Sequence, residues 1–258
     1  GLCAFPPENQ MSYYQALLCS KVSFHILSKL NPTLAFQKGT IDCIPIVHKP
    51  TEIIDNLAVE NREIARQAWK SQDSTWDFQG NELIRIKAQD LEETYDLYQQ
   101  YWTNKFSQLH KNEEELNRQF IEIYGLQDEL TPDVPLEDIT ILKEETSIVN
   151  GQLVFNANEV FAQFMSYAVG CMFGRYSLDK EGLILANQGE TVEDYLHKIQ
   201  IPNSKFQNIS DLSFVPDADN IIPVLDEEWF EDDIVACFHK FLKVTFGEAN
   251  FSKNLAFV

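Results

Sequence analysis

Apolar residues recur at helical spacing through most of this chain. Over residues 12–30 they fall at Tyr13 or Tyr14, Leu17 or Leu18, Val22, Ile26 and Leu30, which predicts one helix. Asn31-Pro32 stands just past the last of them, and a proline there is a stop signal. Residues 35–47 predict a turn at Gly39 and then a short strand through Ile41, Cys43, Ile44 and Ile46. Pro45 lacks an N–H, so that strand belongs at an edge. A second helix is predicted over 51–70, with Thr51 as its cap and Ile53, Ile54, Leu57, Ile64, Ala65, Ala68 and Trp69 as its stripe. The polar stretch 71–80 breaks the pattern, with Trp76 and Phe78 expected to anchor it onto something apolar.

The longest periodic run covers residues 90–124. Leu91, Tyr95, Tyr98, Trp102, Phe106, Leu109, Leu116, Phe120 and Ile123 step by three or four, apart from one skipped turn near Glu113. Gly125 supplies the stop. A helix of that length spans about 50 Å and needs a partner for its stripe; the 51–70 helix is the nearest. An acidic connector with Pro132 and Pro135 follows. Residues 156–176 then predict a strongly amphipathic helix, with Asn156 and Glu159 at capping-box spacing. Gly170 and Gly174, four apart, predict a close approach by another backbone. A last helix is predicted over 227–246, capped by Asp226 and closed by Gly247. Its first two turns would hold Glu227, Glu228, Glu231, Asp232 and Asp233, complementing the helix dipole.

These elements give a mainly α fold (α+β with minor strand content): a helical arm, a second helical cluster and a short strand near the N-terminus. Three regions are expected. Residues 1–49 hold the first helix and the strand, 50–130 the long arm, and 131–258 an acidic helical domain.

Charge changes the picture. The chain has 258 residues and a formal net charge of −20. Lys21, Lys29, Lys38 and Lys49 against Glu8 and Asp42 give the first fifty residues +2, so residues 51–258 carry −22. Such a surface repels a polyanion. Any DNA-facing surface is expected at Lys21, Lys29 and Lys38. Lys21 and Lys29 lie a little over two helical turns apart, on one broad face. No run approaches the roughly 18 apolar residues of a membrane span, and no basic stretch followed by an apolar one is visible at the start, so a signal peptide is not expected there. Cys3, Cys19, Cys43, Cys171 and Cys237 are scattered, without Cys-x-x-Cys or zinc spacing, so buried thiols in a reducing cytoplasm are expected.

The chemistry in the sequence is sparse. Asn31-Pro32-Thr33-Leu34 begins like the Asn/Asp-Pro-Pro-Tyr/Phe tetrapeptide of amino-methylating DNA methyltransferases. There the first side chain and the following carbonyl accept from the base amine, and the aromatic stacks on a flipped base. Thr33 and Leu34 break that pattern, since leucine has no π-face. Asn31 is expected to close a helix instead. The chain lacks Gly-x-Gly-x-x-Gly, Gly-x-x-x-x-Gly-Lys-Ser/Thr and Gly-x-Ser-x-Gly. Asp217 and Asp219 begin like a calcium loop, but Ile221 stands where the third ligand belongs. No catalytic, cofactor-binding or metal-binding residue is assigned.

Longer stretches carry more. AFPPEN at 4–9, LLCSKVSFHILSKLNPTLAFQKGTIDCIPI at 17–46 and REIARQAWKSQDSTWDFQ at 62–79 come first. ELNRQFIEIYGLQDELTPDV at 115–134, SYAVGCMFGRYSLDKEGL at 166–183, FVPDADNIIPVLDEEWFEDDIV at 214–235 and VTFGEANFSKNLAFV at 244–258 follow. Together they resemble the adenine-specific DNA methyltransferases of BREX phage-defence systems, the PglX family. The 17–46 stretch is also similar to type IIG restriction-modification enzymes. The resemblance implies an internal, non-catalytic segment of an S-adenosylmethionine-dependent enzyme, a helical spacer between its catalytic and recognition parts. It implies no cofactor in this chain and S-adenosylmethionine in the parent. The implied partners are the remainder of the parent, DNA through that parent, and other defence-system proteins. The family's Gly-rich cofactor loop and its Asn-Pro-Pro-Tyr/Phe tetrapeptide are both missing here, so no catalytic role carries over.

Two readings of other classes stand beside it. One is an acidic protein-interaction module. The other is a free-standing protein that mimics DNA, motivated by the acidic block; the apolar stripes suggest an ordinary core instead.

Overall fold

A computed structural model describes residues 5–31, 33, 37–199 and 212–258. The protein is mainly α, with minor strand content. The helices are α1 (Met11–Leu18), α2 (Lys21–Leu30), α3 (Lys38–Ile41), α4 (Glu52–Lys70), α5 (Glu82–Arg85) and α6 (Leu91–Tyr124). A hairpin of β1 (Thr146–Val149) and β2 (Gln152–Phe155) follows, then α7 (Ala157–Met172), α8 (Val192–Ile199), α9 (Ile234–Phe246) and α10 (Phe251–Phe257). Two compact units are assembled from separated stretches. Gly1–Arg66, Thr103–Ile141 and Ile148–Leu153 form the first; Gln67–Trp102, Leu142–Ser147 and Val154–Val258 form the second.

In the first unit, the predicted 12–30 helix is two helices. Ser20 takes an extended conformation and accepts from Ser23 N, while its Oγ donates to Leu17 O at 2.7 Å. A serine that satisfies helix-end groups on both sides is an N-cap, and the unbroken apolar period hides it. The helix ends at Leu30, as the sequence predicts, and Asn31 Oδ1 accepts from Thr33 N and Oγ1. Asn31 thus closes a helix; Pro32 and Leu34 lie outside the described residues.

The strand expected near the N-terminus is not there. Lys38–Ile41 is a helical turn, and residues 45–50 belong to no helix or strand among the described residues. Tyrosine hydroxyls replace the ladder. Tyr124 Oη donates to Pro45 O at 2.7 Å and accepts from Val47 N. Tyr13 Oη donates to Val47 O at 2.5 Å and accepts from Lys49 N. The predicted turn and strand begin in part outside the described residues, at Ala35 and Phe36.

The first core joins Tyr13, Ala16 and Leu17 of α1, Val22 of α2, Ile54 and Ala58 of α4, and Leu116, Phe120 and Ile121 of α6. Thr51 caps α4 by accepting from Ile54 N at 3.3 Å. The predicted packing of α4 along α6 is present in this unit. The skipped turn of α6 holds Asn112, a buried amide that donates to Glu60 of α4 at 2.8 Å. The stripe therefore continues there in polar form. Gly125 has φ of 68°, and Leu126 N donates to Ile121 O while Gly125 N donates to Glu122 O. This paired pattern is a Schellman stop.

The second unit has an aromatic core. Phe164 of α7 lies 5.7 Å from Phe241 and 6.3 Å from Phe246 of α9, and Phe161 lies 5.6 Å from Phe257 of α10. Asn254 of α10 accepts from Leu91 N at 2.9 Å, and Lys253 pairs with Asp90 at 2.6 Å, tying α10 to the start of α6. Asn150 and Gly151 turn the hairpin with φ of 51° and 72°. That is the two-residue turn that asparagine-glycine favours, and the apolar reading passes over it. α7 begins at Ala157 with Asn156 at the N-cap position but without a side-chain cap bond, and the Asn156 N–H donates to Glu145 O at the hairpin exit.

Two expectations for the loops are corrected. Phe78 is buried against Tyr176 and Tyr167, at 5.0 and 6.1 Å, but Trp76 is 99% exposed and anchors nothing. The helix predicted over 227–246 starts at Ile234, not at 227, because Asp233 rather than Asp226 is its cap. The acidic residues 226–232 lie outside it and do not occupy its first turns.

The Gly170 approach comes from a ring, not a backbone. A methyl group on Gly170 would collide with Tyr176, which is stacked 5.3 Å from Tyr167. Gly170→Ala is expected to destabilise the protein by about 1–3 kcal/mol through overpacking. Urea denaturation checks this, and an unchanged midpoint would show that the ring is free to move.

Candidate functional site

The second unit carries a cleft of about 540 Å³. One turn of α4 supplies Gln67 and Lys70, α5 supplies Glu82 and Arg85, and Tyr101 comes from α6. The segment 177–181 closes the far wall. Arg85 reaches both oxygens of Glu82, at 2.8 and 2.5 Å, and its guanidinium sits 4.6 Å over the Tyr101 ring. Tyr101 Oη donates to Gln67 Oε1 at 3.0 Å. Asp179 accepts from Ser213 N at 2.9 Å, and Lys180 donates to Lys198 O. Three basic and three acidic side chains line the cleft, and most are held by protein partners. Its described lining holds no histidine or cysteine. The arrangement builds a firm polar wall.

Below the cleft lies a buried carboxylate. Glu145 accepts from Gln72 Nε2 at 2.7 Å and from the Tyr98 hydroxyl. Burial first, and then the Glu145 charge, push the Tyr98 phenol above its ordinary value. A void of about 10 Å³ borders Glu145 and Tyr98, room for about one water. Both carboxylate oxygens are engaged, so Glu145 works as a clamp between the 71–72 corner, α6 and the hairpin base. Sequence reasoning missed this group; the only signal is an acid placed directly before the TSIV strand.

The three lysines read as DNA-facing have different surroundings. Lys21 opens α2, its N–H donates to Asn117 Oδ1 at 2.9 Å, and its ammonium donates to Thr131 O and Asp133 O. Lys38 pairs with Asp42 at 2.8 Å. Lys29 lies exposed in the last turn of α2. The structure therefore ties Lys21 and Lys38 to local partners and shows no contact joining the three. Among the described residues, no group of three or more histidine, cysteine or acidic side chains is placed to hold a metal. Cys171 is buried as expected, whereas Cys19 and Cys43 are exposed; Cys3 lies outside the described residues. Among the described residues, no helix is long and apolar enough to cross a membrane.

No protein-family model matches the chain. Two curated proteins do. One is the adenine-specific methyltransferase PglX of Lacticaseibacillus casei (strain Zhang), 31% identical over 266 aligned residues. The match takes in 100% of this chain and 20% of that protein. This chain is similar to an adenine-specific methyltransferase from end to end. The other is the adenine-specific methyltransferase BrxX of Escherichia coli O9:H4 (strain HS), 29% identical, with 100% of this chain and 21% of that protein covered. The chain thus spans about a fifth of the length of the relatives it matches, and the resemblance read from the sequence to the PglX proteins holds.

Proposed function

We propose that this chain acts as a non-catalytic helical spacer in an adenine-specific DNA methyltransferase of a phage-defence system. It would hold the catalytic and recognition parts in register. The observation that carries this reading is the combination of whole-chain similarity to two adenine-specific methyltransferases with a sequence that holds neither an Asn-Pro-Pro-Tyr/Phe tetrapeptide nor a Gly-rich cofactor loop. The described chain also supplies what a spacer needs. α6 has 34 residues, about 51 Å of continuous helix, and its stripe is buried from Leu91 to Ile121. S-adenosylmethionine and the adenine target would belong to the rest of the enzyme. DNA contact by this region would fall to Lys29 first, since Lys21 and Lys38 already have partners.

Calorimetry with S-adenosylmethionine and a methyl-transfer assay on unmethylated DNA test the reading on this chain alone. Neither saturable cofactor binding nor methyl incorporation is expected. Either one would place catalytic machinery here and overturn the spacer assignment.

A second reading, a protein-interaction module, is favoured by one observation: large apolar side chains stand exposed in an acidic segment of the second unit. The DNA-mimic reading has no comparable support, because the apolar stripes are spent on two ordinary cores.

A further inference from the structure

We propose that residues 221–232 form a docking surface for a separate protein whose apolar pocket is ringed by lysine and arginine. This deepens the interaction-module reading and is independent of the spacer assignment. The segment exposes four large apolar side chains within ten residues: Ile221 at 68%, Val224 at 78%, Trp229 at 68% and Phe230 at 58%. Exposed apolar groups that are scattered singly need no explanation, whereas these four are concentrated in ten residues, two of them held by one buried carboxylate. Tryptophan is also the residue type most enriched among interface hot spots.

The two aromatics are held for presentation. Asp233, itself fully buried, accepts from Trp229 N at 2.6 Å and Phe230 N at 2.9 Å through one oxygen. Its other oxygen accepts from Ala236 N at 2.8 Å and so caps α9. These N–H donors, Ala236 first, hold the Asp233 carboxyl below the usual carboxylate range. Ile234 N donates to Pro223 O at 2.9 Å, and Asp217 Oδ2 accepts from Asp219 N and Ile221 N. The turn is therefore fastened at both ends to α9 and to the 217–221 corner. Less ordering entropy is then lost on binding than with a free loop.

Charge identifies the partner. Asp226, Glu227, Glu228, Glu231 and Asp232 are exposed on both sides of Trp229 and Phe230, with no base in the segment. Glu228 reaches His239 at 2.8 Å; the other four have no basic partner within ion-pair distance among the described residues. An apolar centre with a charged rim is the composition of a non-obligate protein interface, and the rim steers encounter with a surface of opposite sign. The same rim repels nucleic acid and an anionic membrane.

The test uses the whole chain and a defined probe: a labelled amphipathic helical peptide of leucine and lysine only, with polylysine as the charge-only control. Fluorescence anisotropy should show saturable peptide binding. Replacing both Trp229 and Phe230 with alanine should weaken that binding by about tenfold or more, the loss expected for hot-spot aromatics, while leaving polylysine binding nearly unchanged. Glu227→Lys with Glu231→Lys should weaken both. Circular dichroism should be unaltered in every variant, because these side chains are exposed. Peptide binding that survives the double alanine change would overturn the proposal. So would an equal loss for the two probes, or sedimentation showing that the patch instead joins two copies of this chain.

Discussion

Trp102→Ala is expected to lower stability by about 3–5 kcal/mol, the range for emptying a large aromatic site in a packed core. Trp102 is fully buried in α6, edge-on to Tyr101 at 5.2 Å. It is also the largest of the fully buried side chains. Its Nε1 has no hydrogen-bond partner among the described residues. An unpaired buried donor costs about 1–3 kcal/mol, so Trp102→Phe, which removes that donor and keeps a ring, should cost far less than alanine. Urea denaturation of both variants checks the pair. A negligible shift for Trp102→Ala would mean that the ring is not in a core. A phenylalanine variant as weak as the alanine one would mean that Nε1 has a water partner, or that only the indole fits.

Much of the helical content was legible because it rests on local spacing. In α6 the predicted positions Leu91, Tyr98, Trp102, Phe106, Leu109, Leu116 and Phe120 are all buried. At the end of the stripe Ile123 packs half-buried against the core as expected, and Ile121, which the spacing does not single out, is buried beside it. What spacing could not show was where a polar residue takes a structural duty. Ser20 breaks the first helix while leaving the apolar period intact, and Asn112 continues a stripe without being apolar. Asp233 outcompetes Asp226 as the cap of α9 because it gathers three N–H donors at once. The N-terminal strand failed for a tertiary reason. Tyr13 and Tyr124, distant in sequence, satisfy the backbone at 45–49 that a neighbouring strand would otherwise satisfy. The hairpin at Asn150-Gly151 is readable from its turn chemistry, which apolar spacing does not sample.

The site was less legible. The cleft draws on α4, α5, α6 and the 177–181 segment, which no local pattern brings together. Lysine type and charge balance singled out Lys21, Lys29 and Lys38, but they say nothing of the partners that Lys21 finds at Thr131 and Asp133. The resemblance to the methyltransferases was legible because it rests on long ordered stretches, and the comparisons extend it across the whole chain.

The protein should lose stability steeply in alkali, and Cys171 is the residue that best isolates the effect. Burial pushes its thiol up from 9.0 to about 12, with the neighbouring Tyr167 hydroxyl acting the other way. Burial also pushes Tyr195 up from 10.0 to about 12, and it raises Tyr98 and Tyr167. In each case the folded state holds a proton that the unfolded chain releases sooner. The stabilisation is therefore complete below the unfolded pKa and is lost as pH climbs towards the folded one. For Cys171 that window runs from pH 9 to about 12, and for Tyr195 it runs from pH 10 to about 12. One such group changes the unfolding free energy by about 1.4 kcal/mol per pH unit inside its window. Urea midpoints measured from pH 8 to pH 11 should fall throughout the upper part of that range. The slope, not the absolute midpoint, carries the assignment, because lysine deprotonation and the −20 net charge add their own alkaline penalty. Cys171→Ala should flatten the fall between pH 9 and pH 10, before the tyrosines begin to titrate, and Tyr195→Phe should flatten it only above pH 10. Slopes identical to that of the unaltered protein in both variants would mean that these two groups ionise at ordinary values, and that the packing around α7 and α8 admits water.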